Sequence, residues 1–206
     1  MTGIDGYTYT SAACNSAHDY LLPAVLKIVQ EVNPGCKGRM FELGCGNGSV
    51  ANELHQHGYE IVGVDPSREG IALANQSYPN LKIFQGSAYD GLAEKYGEFP
   101  VVLSLEVVEH VFFPRRYAQC LFDLCEEGGF GIVSTPYHGY WKNVALAVTG
   151  KMDTHFTALW DYGHIKFWSV KTLAVLLKEA GFKHIEFKRV GRIPMFAKAM
   201  IAVAEK

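Results

Sequence analysis

No apolar run in this 206-residue chain approaches the roughly 20 residues that a membrane-spanning helix needs, so stable insertion into a bilayer is not expected. The first thirty residues lack a basic start followed by an apolar core and a cleavage site, so no secretory signal is evident. The five cysteines (14, 36, 45, 120, 125) are odd in number and form no Cys-x-x-Cys pair. That pattern fits reduced thiols of a cytoplasmic protein better than a disulfide framework. A net charge of only −2 gives no reason to expect nucleic acid as a partner. Internal repeats, low-complexity segments and a composition shift marking a second domain are also missing. What remains is the profile of a single soluble domain, 49% hydrophobic and 19% charged, long enough to bury a substantial core.

The small net charge conceals an asymmetry. Residues 1–138 carry 8 basic and 16 acidic side chains, whereas residues 139–206 carry 11 basic and 5 acidic. The plain reading is solvated surfaces that differ in sign. The sharper one is a C-terminal part that faces an anionic substrate or makes transient contact with a lipid surface.

The organising stretch is Phe41-Glu42-Leu43-Gly44-Cys45-Gly46-Asn47-Gly48. A short apolar run precedes it and a helical spacing of Val50, Ala51 and Leu54 follows it, so a strand, a glycine turn and a helix are expected. Such a turn lets the backbone approach a ligand closely and aims helix N–H groups at it. The dinucleotide fingerprint would put glycine or alanine at position 49, where Ser49 stands. Glu42 would repel a pyrophosphate but suits a ligand with an ammonium and a sulfonium. Asp65 stands 21 residues after Gly44, at the end of the next apolar run. A carboxylate placed there can accept both ribose hydroxyls, unless it only caps the helix that starts near Arg68. Ser67 can cap that helix, which would free Asp65.

Further along, strands are expected at 82–85 and 100–105, and the second ends in Glu106-Val107-Val108-Glu109-His110. Ligands bind at such strand ends in open α/β sheets, so Glu106, Glu109 and His110 sit where a cationic cofactor and its acceptor would meet. His110 can take a proton from a hydroxyl acceptor near neutral pH, or it only fixes the loop. A helix from Pro114 to Glu126 should stop at Gly128-Gly129, before a strand over 130–134. Residues 139–165 break the strand–helix rhythm with Tyr140, Trp141, His155, Phe156, Trp160, Tyr162 and His164. A connection this long reads as a lid over a planar or apolar acceptor, with a dimer contact as the alternative. Asp153, His155, Asp161 and His164 show no helix-adjacent ligand spacing, so no metal is expected. Helices over 18–32 and 169–180 and strands over 184–190 and 196–204 complete the pattern.

Glu-x-Gly-x-Gly-x-Gly resembles motif I of the class I S-adenosylmethionine-dependent methyltransferases. Val62-Gly63-Val64-Asp65, Gly86-Ser87-Ala88-Tyr89-Asp90 and Leu105-Glu106-Val107-Val108-Glu109-His110 agree with it. The last is similar to the small-molecule branch that includes ubiquinone-biosynthesis O-methyltransferases. The resemblance implies one Rossmann-like α/β domain over residues 1–206: a seven-stranded, mostly parallel sheet with helices on both faces and an antiparallel last strand. Residues 1–37 would be an arm and helix, and 139–165 the lid. It implies S-adenosyl-L-methionine held by Glu42, Gly44, Cys45, Gly46, Asp65 and Pro66, with Ser87, Ala88, Leu105, Glu106 and His110 around the adenine and methionine parts. Asp90 or a backbone amide would approach the adenine amine. The N-terminal arm often folds over the cofactor in this family, so Tyr7 or Tyr9 can line the site.

The expected activity is methyl transfer to a small-molecule acceptor, at oxygen, by a monomer or homodimer. His110 and His164 are the candidate catalytic residues; Tyr9, Trp141, Trp160 and His164 are the candidate acceptor contacts. Two alternatives stand beside it: a nicotinamide-dependent oxidoreductase sharing the first βαβ unit, and a cofactor-binding module without catalysis.

Overall fold

Four apolar runs in the first half of the chain become parallel strands because each is followed by a helix long enough to carry the chain back. Helix α1 (His18–Val32) precedes them. Then come β1 (Arg39–Leu43), α2 (Ser49–Gln56), β2 (Glu60–Asp65), α3 (Arg68–Ser77), β3 (Lys82–Gln85), α4 (Leu92–Tyr96) and β4 (Phe99–Leu105). The second half adds α5 (Pro114–Leu124), β5 (Cys125–Pro136), α6 (Tyr140–Val148), α7 (Met152–Phe156), α8 (Val170–Ala180), β6 (Ile185–Val190) and β7 (Ala199–Glu205). The computed structural model describes residues 9, 11, 18–33 and 38–206, so Tyr7, Cys14 and Cys36 lie outside the described residues.

The seven strands form one sheet in the order β3-β2-β1-β4-β5-β7-β6. The last strand, β7, runs antiparallel to both neighbours, pairing Phe130 with Glu205 and Ile185 with Ala204. Residues on β1 alternate between two cores. Met40 packs with Leu21, Val25 and Ile28 of α1, Leu54 of α2 and Ile71 of α3. Phe41 and Leu43 pack with Tyr117 and Leu121 of α5 and with Leu173 and Leu177 of α8. Helices therefore cover both faces, and the apolar strands in between can be buried on each side.

One boundary differs from the sequence pattern. Helix α5 ends at Leu124 rather than at the glycine pair, and the chain is already extended at Cys125. Cys125 pairs with Phe99, and the register then shifts so that Phe130 pairs with Val101. The glycines belong to this irregular edge: a Cβ on Gly129 would lie 3.0 Å from the Pro100 carbonyl oxygen. The last strand also starts later than expected, because Pro194–Phe196 forms a 3-10 turn. No described helix is long and apolar enough to cross a membrane.

The strand order reverses between β1 and β4, which places the glycine turn after β1 beside the loop after β4. That crevice positions the site.

Candidate functional site

The turn after β1 is hooked onto the end of β2. Gly44 N–H and Cys45 N–H both donate to the Val64 carbonyl, at 2.7 and 3.1 Å. Gly44, Gly46 and Gly48 have φ of 87°, 52° and 74°, a region that disfavours side chains. A Cβ on Gly44 would lie 2.3 Å from Val107, so the turn and the β4 loop touch.

Asp65 is pinned rather than free. Its carboxylate accepts the Gly46 N–H at 2.9 Å and the Ser67 N–H at 2.8 Å. Ser67 does cap α3, accepting from Gly70 N–H at 3.1 Å. The capping role therefore falls to Ser67, while Asp65 joins the glycine turn to the end of β2. Each carboxylate oxygen keeps acceptor capacity beyond these bonds. Burial raises the Asp65 pKa.

Glu42 is 2% exposed, and its Oε2 has no hydrogen-bond partner. Burial, with Asp65 close by, pushes its carboxyl up to about 8, against a bond from the Ala51 backbone. A buried acid with one unpaired oxygen is costly unless something positive meets it.

Around these residues opens a cavity of about 1780 Å³, larger than the ~300–1,000 Å³ of a single small-molecule pocket. It has room for two ligands side by side. The predicted cofactor residues Glu42, Gly44, Cys45, Gly46, Asp65, Pro66, Ser87, Ala88, Leu105, Glu106 and His110 all line it. Tyr9 does too, but its hydroxyl lies over Gly46 and its ring over Gly70, on the glycine-turn side of the cavity. Asp90 accepts the Ser87 N–H at 2.7 Å and so closes its own turn.

The loop after β4 is strained at one place. Glu106 takes a left-handed φ of 56°, a conformation that a non-glycine residue holds only when its surroundings enforce it. Ser134 on β5 enforces it here: its hydroxyl accepts the Glu106 N–H at 3.0 Å and donates to Glu106 Oε1 at 2.8 Å. Burial raises the pKa of Glu106 and that of the fully buried Glu109, where the Glu106 charge adds to the rise.

The stretch 139–165 folds into α6, α7 and a return segment beside the cavity. Trp160 and His164 line the cavity. Trp141 does not: it is 57% exposed and packs edge-on against Tyr140, 5.2 Å away. On α6 the position that turns inward is the next one, Lys142, since adjacent helical residues point about 100° apart. The return segment is stitched to the β4 loop. Ile165 and Lys166 N–H groups both donate to the Glu109 carbonyl, and Trp168 Nε1 donates to the Val108 carbonyl at 3.1 Å. His110 Nδ1 faces the Tyr162 and Gly163 carbonyls at 3.0 and 3.2 Å. Burial lowers the pKa of His110, and that of His164 to about 4, so both rings are neutral at pH 7.

Sequence reasoning missed Lys142, Arg192, Lys198 and His138, which also line the cavity. For the three cations the excess of positive charge after residue 139 was the only signal, and it did not say which side chains turn inward; His138 had none.

A family model described as "Methyltransferase domain" matches residues 17–186. Among curated proteins, the ubiquinone biosynthesis O-methyltransferase of Ruegeria pomeroyi is 30% identical over 73% of this chain and 62% of its own length. That of Azorhizobium caulinodans is 32% identical over 72% of this chain and 60% of its own length. The chain thus spans about three fifths of these relatives. Among solved structures, a SAM-dependent methyltransferase from Archaeoglobus fulgidus superposes with a TM-score of 0.67 at 15% identity, covering 90% of this chain and 93% of that one. The magnesium protoporphyrin IX methyltransferase of Synechocystis PCC 6803 gives 0.67 at 17%, covering 90% and 82%.

Proposed function

Since the chain belongs to the methyltransferase domain family, we propose that it binds S-adenosyl-L-methionine along the glycine turn and transfers the methyl group to an oxygen of a small-molecule acceptor. The observation that carries this reading is Glu42, a buried carboxyl with an unpaired oxygen, raised pKa and a face on the cavity. A ligand bearing ammonium and sulfonium charge supplies the partner that this oxygen lacks. The pyrophosphate of a nicotinamide dinucleotide would meet repulsion there, which argues against the oxidoreductase alternative.

When bound, the cofactor supplies an electrophilic methyl group on a positively charged sulfur. The chain's residues do the rest. Glu42 and Asp65 receive the cofactor's positive and hydroxyl groups, and Glu106, locked by Ser134, holds the loop that separates donor from acceptor. The lid orients the acceptor and excludes water. Orientation of this kind supplies roughly 7–11 kcal/mol of a bimolecular barrier. An oxygen acceptor also needs its proton removed or weakened, and the neutral rings of His110 and His164 bring lone pairs to that end of the cavity. Lys142, Arg192 and Lys198 on the same wall favour an acceptor that carries an anionic group.

The direct test is titration calorimetry with S-adenosylmethionine, S-adenosylhomocysteine and NAD, followed by an acceptor screen that detects S-adenosylhomocysteine release. Saturable binding of the first two but not NAD is expected, and binding of NAD alone would refute the reading. In the same assay, Asp65→Ala should lose about 1–3 kcal/mol of affinity, or roughly tenfold or more. An unchanged affinity would leave Asp65 as a brace for the turn only.

Trp160 separates the two halves of the site. Its ring lies 5.3 Å from His164 and 6.3 Å from His110. Trp160→Ala should weaken acceptor binding or turnover while cofactor affinity stays within about twofold, because aromatic packing of this kind is worth roughly 0.5–1.5 kcal/mol locally. A change confined to oligomeric state, read by light scattering, would reassign the lid to a self-contact.

A further inference from the structure

We infer that Lys142, Arg192 and Lys198 form a subsite for a phosphate group carried by the methyl acceptor. All three line the cavity, and they come from two separate pieces of chain. Lys142 sits in the first turn of α6, and its Nζ reaches the Ala197 carbonyl at 3.4 Å. Arg192 and Lys198 flank the 3-10 turn between β6 and β7. The chain doubles back there at Gly191, whose φ is 88°, and a Cβ on it would lie 2.9 Å from the Lys198 Cβ. Lys198 N–H donates to the Val190 carbonyl at 3.0 Å, and its ammonium lies 4.9 Å above the ring of Tyr20, which also lines the cavity. The β6–β7 connection thus brings two cations beside the lysine of α6.

This charge is left largely uncompensated. Among the described residues none of the three cations forms an ion pair, although Asp161 also lines the cavity. Burial lowers the Lys142 pKa, and the Arg192 charge lowers it further. Glu106 acts in the opposite direction, but burial holds its own carboxyl toward the neutral form and Ser134 donates to its Oε1. The helix sharpens the imbalance. Its first turn carries no acidic side chain, and a lysine there lies at the positive end of the helix dipole. A half-buried ammonium close to a guanidinium, with no carboxylate bonded to either, is unfavourable until an anion arrives.

Charge and geometry select the anion. A carboxylate brings one negative charge, whereas a phosphate monoester brings about −1.5 to −2 near pH 7 and three strong acceptor oxygens, which match three cationic donors. The guanidinium fork can take two of those oxygens at once. Along α6, Ala145 and Leu146 also face the cavity, three and four residues after Lys142 and so on the same side of the helix. The acceptor is then a phosphate ester whose apolar part lies against that side. The phosphate only anchors it; that the anchored molecule receives the methyl group rests on the methyl-transfer reading.

The test is calorimetry with phenyl phosphate, inorganic phosphate and benzoate, without cofactor. One phenyl phosphate per chain is expected, with the other two probes at least tenfold weaker. Lys142→Met and Arg192→Gln should each weaken phenyl phosphate tenfold or more while S-adenosylmethionine affinity and circular dichroism are unchanged. Arg192 is exposed, so its variant serves if the half-buried Lys142 variant does not fold. A lipid phosphate offers the same chemistry, and flotation with phosphatidylglycerol vesicles is the second arm. Absence of saturable phenyl phosphate binding, an equal affinity for benzoate, or an affinity untouched in a folded variant would each overturn the proposal. Vesicle binding without phenyl phosphate binding would do the same and make these cations a lipid-facing surface. Phenyl phosphate binding that persists where S-adenosylmethionine fails to bind would establish the anion subsite and remove only the methyl-transfer reading.

Discussion

Glu42→Gln should weaken S-adenosylmethionine binding by about 10- to 100-fold, since a hydrogen bond to a charged group is worth roughly 1.5–3 kcal/mol. The substitution keeps the shape and the bond to the Ala51 backbone but removes the charge that faces the cavity. The wild-type affinity should also depend on pH. The free carboxyl titrates near 8, raised by burial and by Asp65, with the Cys45 thiol as the other neighbouring group. A cationic ligand binds the ionised form, so each bound molecule releases up to one proton below that pH. Affinity should rise by up to about tenfold per pH unit toward pH 8 and then level off. The Glu42→Gln variant should show a flatter profile over the same range. An identical profile in both proteins would move the cation's partner elsewhere.

The same group makes a stability prediction of opposite sign. Its folded pKa lies above that of an unfolded glutamate, so the folded state holds a proton that the unfolded state has released between about pH 4.5 and 8. Stability of the ligand-free protein should therefore fall as pH rises through that window and flatten above it. Thermal unfolding of wild type against Glu42→Gln isolates this contribution, because the variant has no acid at position 42 to titrate.

Gly46→Val should abolish measurable cofactor binding, with a loss of more than about a hundredfold, or roughly 2.7 kcal/mol. Three effects act together. A branched residue at φ 52° is strained, by about 1–2 kcal/mol even before its branching is counted. Its Cβ would lie 2.2 Å from the Tyr9 hydroxyl, which displaces the ring that covers the turn. Movement of the Gly46 N–H would also loosen the Asp65 carboxylate that it holds. The hydrophobic cores lie on the sheet faces below the turn, so a cooperative unfolding transition should remain. Calorimetry and thermal unfolding on the same sample check both halves. Retained affinity in a folded variant would place the ligand away from the glycine turn.

Much of this site could be read along the chain, and the reason is that its parts are local. The glycine turn, Glu42 before it and Asp65 one strand later are fixed relative to one another by a single βαβ unit, whose spacing the sequence carries. The parallel strands follow from apolar runs separated by helices with recognisable stops, such as Ser169 capping α8 and Gly181 ending it with φ 115°.

Other features depended on partners that are distant in sequence. Leu124 ends α5 because Cys125 finds Phe99 across the sheet, a pairing that outweighs the helical pattern running on to Glu126. Lys142 rather than Trp141 faces the cavity because the rotation of α6 about its axis is set by what it packs on, including the Ala197 carbonyl that Lys142 reaches at 3.4 Å. Glu109, His110 and His164 converge only because the segment after α7 returns onto the β4 loop through backbone bonds, and backbone bonding carries little side-chain signature. By itself, then, the sequence determined the fold class and which residues meet at the glycine-turn side of the crevice, where short-range geometry dictates position. The tertiary structure alone decided which charged and imidazole groups meet where residues 139–165 border the cavity, because long-range packing aims those groups.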